Sequence, residues 1–151
     1  MKTSQKLALA DFLQTIPEEY RDFVTKTSEG MAKADAKQKI EQKASGLTAT
    51  YHHRESNRIL MQFYFKNGIL NVYFYPIFFA LHDGYLENLP SCITSQINAP
   101  PTNLFKDCRS CNPACFKCKF TINGKQYHKC NYGRINAAVN GEIMGLLAVF
   151  K

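Results

Sequence analysis

Residues 59–74, ILMQFYFKNGILNVYF, alternate between apolar and polar positions on both sides of Asn67-Gly68. Asn-Gly between two such runs marks a two-residue type I′ turn, which needs positive φ at both central positions. A turn there sets the register. Phe65 then faces Leu70, Phe63 faces Val72 and Met61 faces Phe74, which makes one side wholly apolar. Gln62, Tyr64, Asn71 and Tyr73 fall on the other side. Residues 47–54, joined through Glu55-Ser56-Asn57, predict a preceding antiparallel strand, so the hairpin extends to a three-stranded meander.

Helical periods flank this meander. Residues 3–13 space Leu9, Phe12 and Leu13 as a short amphipathic helix does. Thr15-Ile16-Pro17-Glu18 fits a capping box with proline in the first turn, and Tyr20, Phe23, Val24 and Thr27 follow at helical spacing up to a stop or bend at Gly30. Residues 31–44 predict a further, largely solvated helix. Asp35 and Lys39 stand four apart in it, as do Lys37 and Glu41, and Ser45-Gly46 ends it. Pro76 opens a helix through Ile77, Phe78, Leu81 and Tyr85 that stops before Pro90, and residues 91–107 read as a short helix followed by a loop containing Ala99-Pro100-Pro101. From residue 133 the chain predicts a strand, then a terminal helix capped by Asn140 with Ile143, Leu146, Leu147 and Phe150 on one face.

The fold class this implies is α+β: N-terminal helices packed on an antiparallel β-meander, followed by a cysteine-rich metal-binding hairpin and a C-terminal helix. The 151 residues, 45% of them hydrophobic, suffice for one domain with a conventional core. Within it, residues 1–105 supply helices and meander, 106–132 a metal-binding insertion, and 133–151 the last strand and helix. The N-terminal apolar run is interrupted by Asp11, so no signal peptide is read, and residues 68–81 fall short of the ~20 a membrane span requires. A cytoplasmic protein without a membrane partner is expected.

Charge sharpens this division. The net charge is +7. Residues 1–45 hold eight Lys/Arg against seven Asp/Glu, residues 46–105 three against three, and residues 106–151 eight against two. The excess lies around the cysteines. It reads either as an anion-binding face or as counter-charge for a thiolate-rich centre, since zinc with four thiolates carries a net −2.

Residues 108–130, CRSCNPACFKCKFTINGKQYHKC, contain five of the six cysteines and one of the four histidines. Without an export signal, thiols this dense point to metal ligation rather than to disulfides. Cys108-x2-Cys111 and Cys115-x2-Cys118 are knuckle spacings that each offer two sulfurs to one ion. Asn123-Gly124 predicts a second type I′ hairpin, which returns the chain to Cys130 with Phe120 facing Tyr127, and His128 and Cys130 on the other side. The expected ligands are drawn from Cys108, Cys111, Cys115, Cys118 and Cys130, with Cys108 and Cys111 the firmest and His128 in reserve. Zinc is the expected ion, and an iron–sulfur cluster is the alternative. Cys111-x3-Cys115-x2-Cys118 has the spacing of a radical S-adenosylmethionine motif, but 33 residues after it are too few for that barrel. Cys92, outside the cluster on an apolar segment, reads as a small packed side chain.

Catalytic chemistry has little support. No Gly-rich phosphate loop, nucleophile elbow or H-E-x-x-H helix occurs, and His52 and His53 are adjacent strand positions that point to opposite faces. The sequence therefore predicts a non-enzymatic, zinc-stabilised binding or interaction domain with a protein or nucleic acid as its partner. One alternative is nucleic-acid binding by the basic half, with Arg109, Lys117, Lys119, Lys125, Lys129 and Arg134 on phosphates, joined by Lys106, and Phe116, Phe120, Tyr127 or Tyr132 stacked on bases. The other is metal handling or thiol redox chemistry, because five cysteines exceed the four ligands a closed zinc site uses.

The order of elements also carries a resemblance. A helical start, a meander with YHHRESNRILMQFYFKNGILNVYFY, a helix ending in ENLP, and a final strand and helix ending in GEIMGLLAVFK resembles small bacterial domains in the group that includes frataxin-like iron chaperones. It covers roughly residues 47–151 as an order of elements. It implies an α+β domain with one antiparallel sheet and transfers no site residues, and the cysteine-rich insertion departs from that pattern.

Overall fold

A computed structural model describes residues 7–82, 89–98, 117–122, 124–130 and 134–148; for His82, Lys117, Cys118, Lys119, His128, Lys129 and Cys130 it describes the backbone alone. The fold is α+β. Helices α1 (Leu9–Leu13) and α2 (Glu18–Lys33) precede strands β1 (Ala36–Lys43), β2 (Gly46–His53), β3 (Ile59–Lys66) and β4 (Ile69–Phe74). Then come α3 (Pro76–His82), α4 (Ser91–Asn98), β5 (Lys117–Ile122), β6 (Lys125–Cys130), β7 (Ile135–Ala138) and α5 (Gly141–Leu147). Five strands form one antiparallel sheet in the order β1-β2-β3-β4-β7, and β5 and β6 form a separate two-stranded ribbon.

The β3–β4 hairpin has the expected register. Phe65 pairs with Leu70, Phe63 with Val72 and Met61 with Phe74, and the turn residues Asn67 and Gly68 have φ of 54° and 76°. The sheet is nevertheless larger than a three-stranded meander, because β1 adds to one edge and β7 to the other. Residues 36–43 are a strand rather than the expected solvated helix. Their two core positions, Ala36 and Ile40, are four apart, and four residues is both about one helical turn and two full strand alternations. Pairing with β2 then overrides the helix propensity of the lysines, glutamines and glutamate. Asp35 is accordingly not paired with Lys39. It takes a positive φ of 64° in the turn before β1, and its carboxylate lies 3.7 Å from the Arg54 guanidinium.

Helix α2 also departs from expectation at both ends. Its N-cap is Pro17 with no side-chain cap, and the Thr15 hydroxyl instead donates back to the Phe12 carbonyl at 2.7 Å, so no capping box forms there. The helix runs through Gly30, which is buried beside Met31. In α3, Phe79 is fully buried where Leu81 was expected, and Leu81 is 43% exposed. A bulge between Tyr51 and His52 breaks the β2–β3 register, and Leu60 and Met61 on β3 are both fully buried beside it.

The core is aromatic. Phe12, Phe63, Phe74, Phe78 and Phe79 are fully buried. Phe23 of α2 meets Phe63 edge-on at 5.9 Å, which places α2 on the Phe63 side of the sheet. Tyr51, also fully buried, turns its hydroxyl to Ser28 and receives a hydrogen bond from Gln38 at 3.3 Å. The Asn140 side chain accepts from the Ile143 N–H at 3.0 Å, as its expected cap role requires. Among the described residues, no helix is long and apolar enough to cross a membrane.

Candidate functional site

The cysteine segment is described only in part. Cys108, Arg109, Cys111 and Cys115 lie outside the described residues, as do Lys106, Phe116 and Tyr132, while Cys118, Cys130, Lys117, Lys119 and Lys129 are placed through their backbones. The β5–β6 register pairs Phe120 with Tyr127 and Ile122 with Lys125, as a two-residue turn at residues 123–124 requires, and Gly124 has a φ of 81°. The same register sets Cys130 opposite Lys117 and Cys118 opposite Lys129. Among the described residues, no group of three or more His, Cys, Asp and Glu side chains is arranged to hold a metal ion. Cys92, on α4, is half-buried and packs against the core.

The ribbon is docked on the domain by its own aromatic pair. Phe120 is 2% exposed; its ring lies 5.3 Å from Phe79 of α3 and stacks on Tyr127 at 5.5 Å. The Tyr127 hydroxyl donates to the Asn98 side-chain oxygen at 2.9 Å, and Lys125 reaches the same oxygen at 3.2 Å. Phe120 is therefore a core residue and offers no free face for a base. Tyr127 is tied to α4 as well.

A second surface was only half visible in the sequence. On the side of the sheet turned away from α2, one row crosses all five strands as Lys39, Thr50, Gln62, Tyr73 and Asn136, and the next as Glu41, Thr48, Tyr64, Asn71 and Ala138. Tyr64 and Tyr73 stack at 4.6 Å with their planes 19° apart. The Arg134 guanidinium lies over Tyr73 at 4.1 Å from the ring centroid. Because Tyr64 takes one side of the Tyr73 ring, the guanidinium takes the other. The Tyr64 hydroxyl donates to Asn136 at 2.7 Å. Burial, reinforced by Tyr73, raises its pKa well above the ordinary phenol value, so it remains a neutral donor. Gln96 of α4 receives the Asn136 N–H and donates to the Asn136 carbonyl at 2.6 Å, which fixes β7 and protects its edge.

Polar satisfaction on this face has one gap. Gln62 donates to the Thr50 hydroxyl at 2.8 Å, but Thr48, 5% exposed between Glu41 and Tyr64, has a side-chain oxygen without a hydrogen-bond partner. His52, near the lysine edge, has its pKa lowered by burial first and then by Lys37, and so stays neutral near pH 7. His53 points elsewhere and bonds Ser56 at 3.0 Å.

No protein-family model, curated protein or solved structure matches the chain.

Proposed function

We propose that this protein is a non-enzymatic binding domain in which residues 108–130 hold a structural zinc ion. The supporting observation is the β5–β6 register, which brings Cys118 and Cys130 to the same end of a ribbon anchored on the core through Phe120. Zinc prefers four thiolate or imidazole ligands in a closed tetrahedron when its role is structural. The two cysteine positions have opposite parity in the ribbon, so an undistorted ribbon lends one of them to a given ion. Cys108, Cys111 and Cys115 are the sulfurs that complete the set. The surrounding lysines offset the negative charge of such a centre.

Metal analysis of protein purified without chelator tests this. About one zinc per chain is expected, lost on Cys111→Ser, with Cys92→Ser leaving the metal content unchanged. Iron with acid-labile sulfide, or no bound metal, would sink the zinc reading.

A further inference from the structure

We infer that the open face of the five-stranded sheet binds single-stranded nucleic acid, with a base stacked on Tyr64 and the phosphates held by the flanking cations. This deepens the binding-domain reading but does not depend on zinc. It also moves the contact surface from the cysteine-rich half to the sheet, with Arg134 common to both.

Three features converge on this partner. The first is charge. Lys37, Lys39, Lys43, Lys66 and Arg134 occupy this face, and Glu41 is its one carboxylate among the described residues, already 3.2 Å from Lys43. A surface this biased complements a polyanion. The second is the stack. Tyr73 is sandwiched between Tyr64 and the Arg134 guanidinium, so the outer ring face of Tyr64 continues the stack toward a ligand; among the described residues no further ring covers it. Aromatic rings on the open face of a sheet accept bases whatever their sequence, because every base has a π-face. The third is the Asn71 side chain, beside Tyr64 in the same row: its amide donates to the Ile69 carbonyl at 3.0 Å, and its oxygen, with no donor among the described residues, is of the kind that reads a base edge or a ribose hydroxyl.

A duplex does not fit the same features. Its base faces are buried in its own stack, so Tyr64 has nothing to receive, and only the cations remain in use. Edge protection alone accounts for the lysines of β1, since charged side chains on an edge strand block pairing with other chains. It does not account for a tyrosine pair and an arginine stacked on the same face toward the β7 edge of the sheet.

The experiment is fluorescence anisotropy of the full chain with labelled, mixed-sequence single-stranded RNA and DNA oligonucleotides and a duplex of the same sequence, titrated over salt. Binding of a single strand, RNA or DNA, with weaker binding of the duplex is expected. Tyr64→Ala should weaken it on the order of tenfold or more, while Tyr64→Phe, which keeps the ring, retains most of it. Replacing Lys37 and Lys39 together should flatten the log–log salt dependence by about 0.7 for each phosphate that is no longer neutralised. No binding of either single strand at low salt, equal binding of the duplex, or an undiminished affinity in Tyr64→Ala each overturns the inference. If Tyr64→Ala does not fold, backbone amide shifts of the wild-type protein decide: shifts centred on β3 and β4 support the assignment, and shifts confined to β5 and β6 refute it. Zinc without nucleic-acid binding defeats this inference alone, whereas nucleic-acid binding by zinc-free protein defeats only the metal reading.

Discussion

Phe120→Ala tests how the cysteine-bearing ribbon is held. The substitution removes a ring that is 2% exposed and that meets Phe79 at 5.3 Å and Tyr127 at 5.5 Å. Truncating a buried phenylalanine costs about 3–5 kcal/mol, and each aromatic pair contributes about 0.5–1.5 kcal/mol beyond area burial. Set against a total stability of about 5–15 kcal/mol, that cost is large enough to release an element but need not unfold the domain. The five-stranded sheet keeps Phe63, Phe74 and Phe78 in a core that Phe120 meets through Phe79 of α3. The expected outcome is local. Hydrogen exchange should accelerate at the β5 and β6 amides, with the β3, β4 and β7 amides still protected. A double-mutant cycle with Phe79→Ala should return a coupling of about 1 kcal/mol. Equal loss of protection in ribbon and sheet would show that they unfold as one unit, and unchanged exchange in the ribbon would show that Phe120 does not hold it.

Other predictions concern the sheet and its helices. Burial raises the Tyr51 pKa from 10.0 to about 12 against the lowering effect of its bonds to Ser28 and Gln38. The stabilisation it gives by staying neutral is thus full below pH 10 and disappears as pH rises to about 12, a change of roughly 2–3 kcal/mol; alkaline titration followed by circular dichroism should show a larger loss of stability in the wild type than in Tyr51→Phe, where Tyr64, its pKa also raised by burial, still contributes. Gly68→Ala should destabilise by about 1 kcal/mol through its φ of +76° alone, because an added methyl meets nothing within 4 Å. Gly145→Ala, inside α5 and equally uncrowded, should stabilise by about 0.5–1 kcal/mol, so thermal melts of the two variants should shift in opposite directions. Asn140→Ala should cost about 1 kcal/mol in a denaturant titration, by orphaning the Ile143 N–H.

Much of the sheet was legible in the chain because its determinants are local. Asn67-Gly68 carries its turn in two residues, and the period-two run around it sends Tyr64 and Tyr73 to one face and Phe63 and Val72 to the other without help from distant segments. The same reasoning placed Phe120 opposite Tyr127 and gave Asn140 its cap. Local signals failed where two periods coincide. The pair Ala36 and Ile40 satisfies a helix and a strand alike, and only the exposed edge of β2 decided between them by offering eight residues of pairing. Likewise Thr15 had the chemistry of a cap, but its hydroxyl found the Phe12 carbonyl first, and α2 began at Pro17 without it.

The polar face shows the same division between sequence and structure. Alternation alone assembled Gln62, Tyr64, Asn71 and Tyr73, since neighbouring strands of one hairpin share a register. Arg134 and Asn136 are more than sixty residues further along the chain, and nothing near them in sequence says which strand they meet. The pairing of β7 with β4 is a long-range choice made by burying Ile135 and Ala137 against the same core as Phe74 and Val72. That burial fixes the parity of β7, and parity then delivers Asn136 to the Tyr64 hydroxyl and the Arg134 guanidinium to the Tyr73 ring.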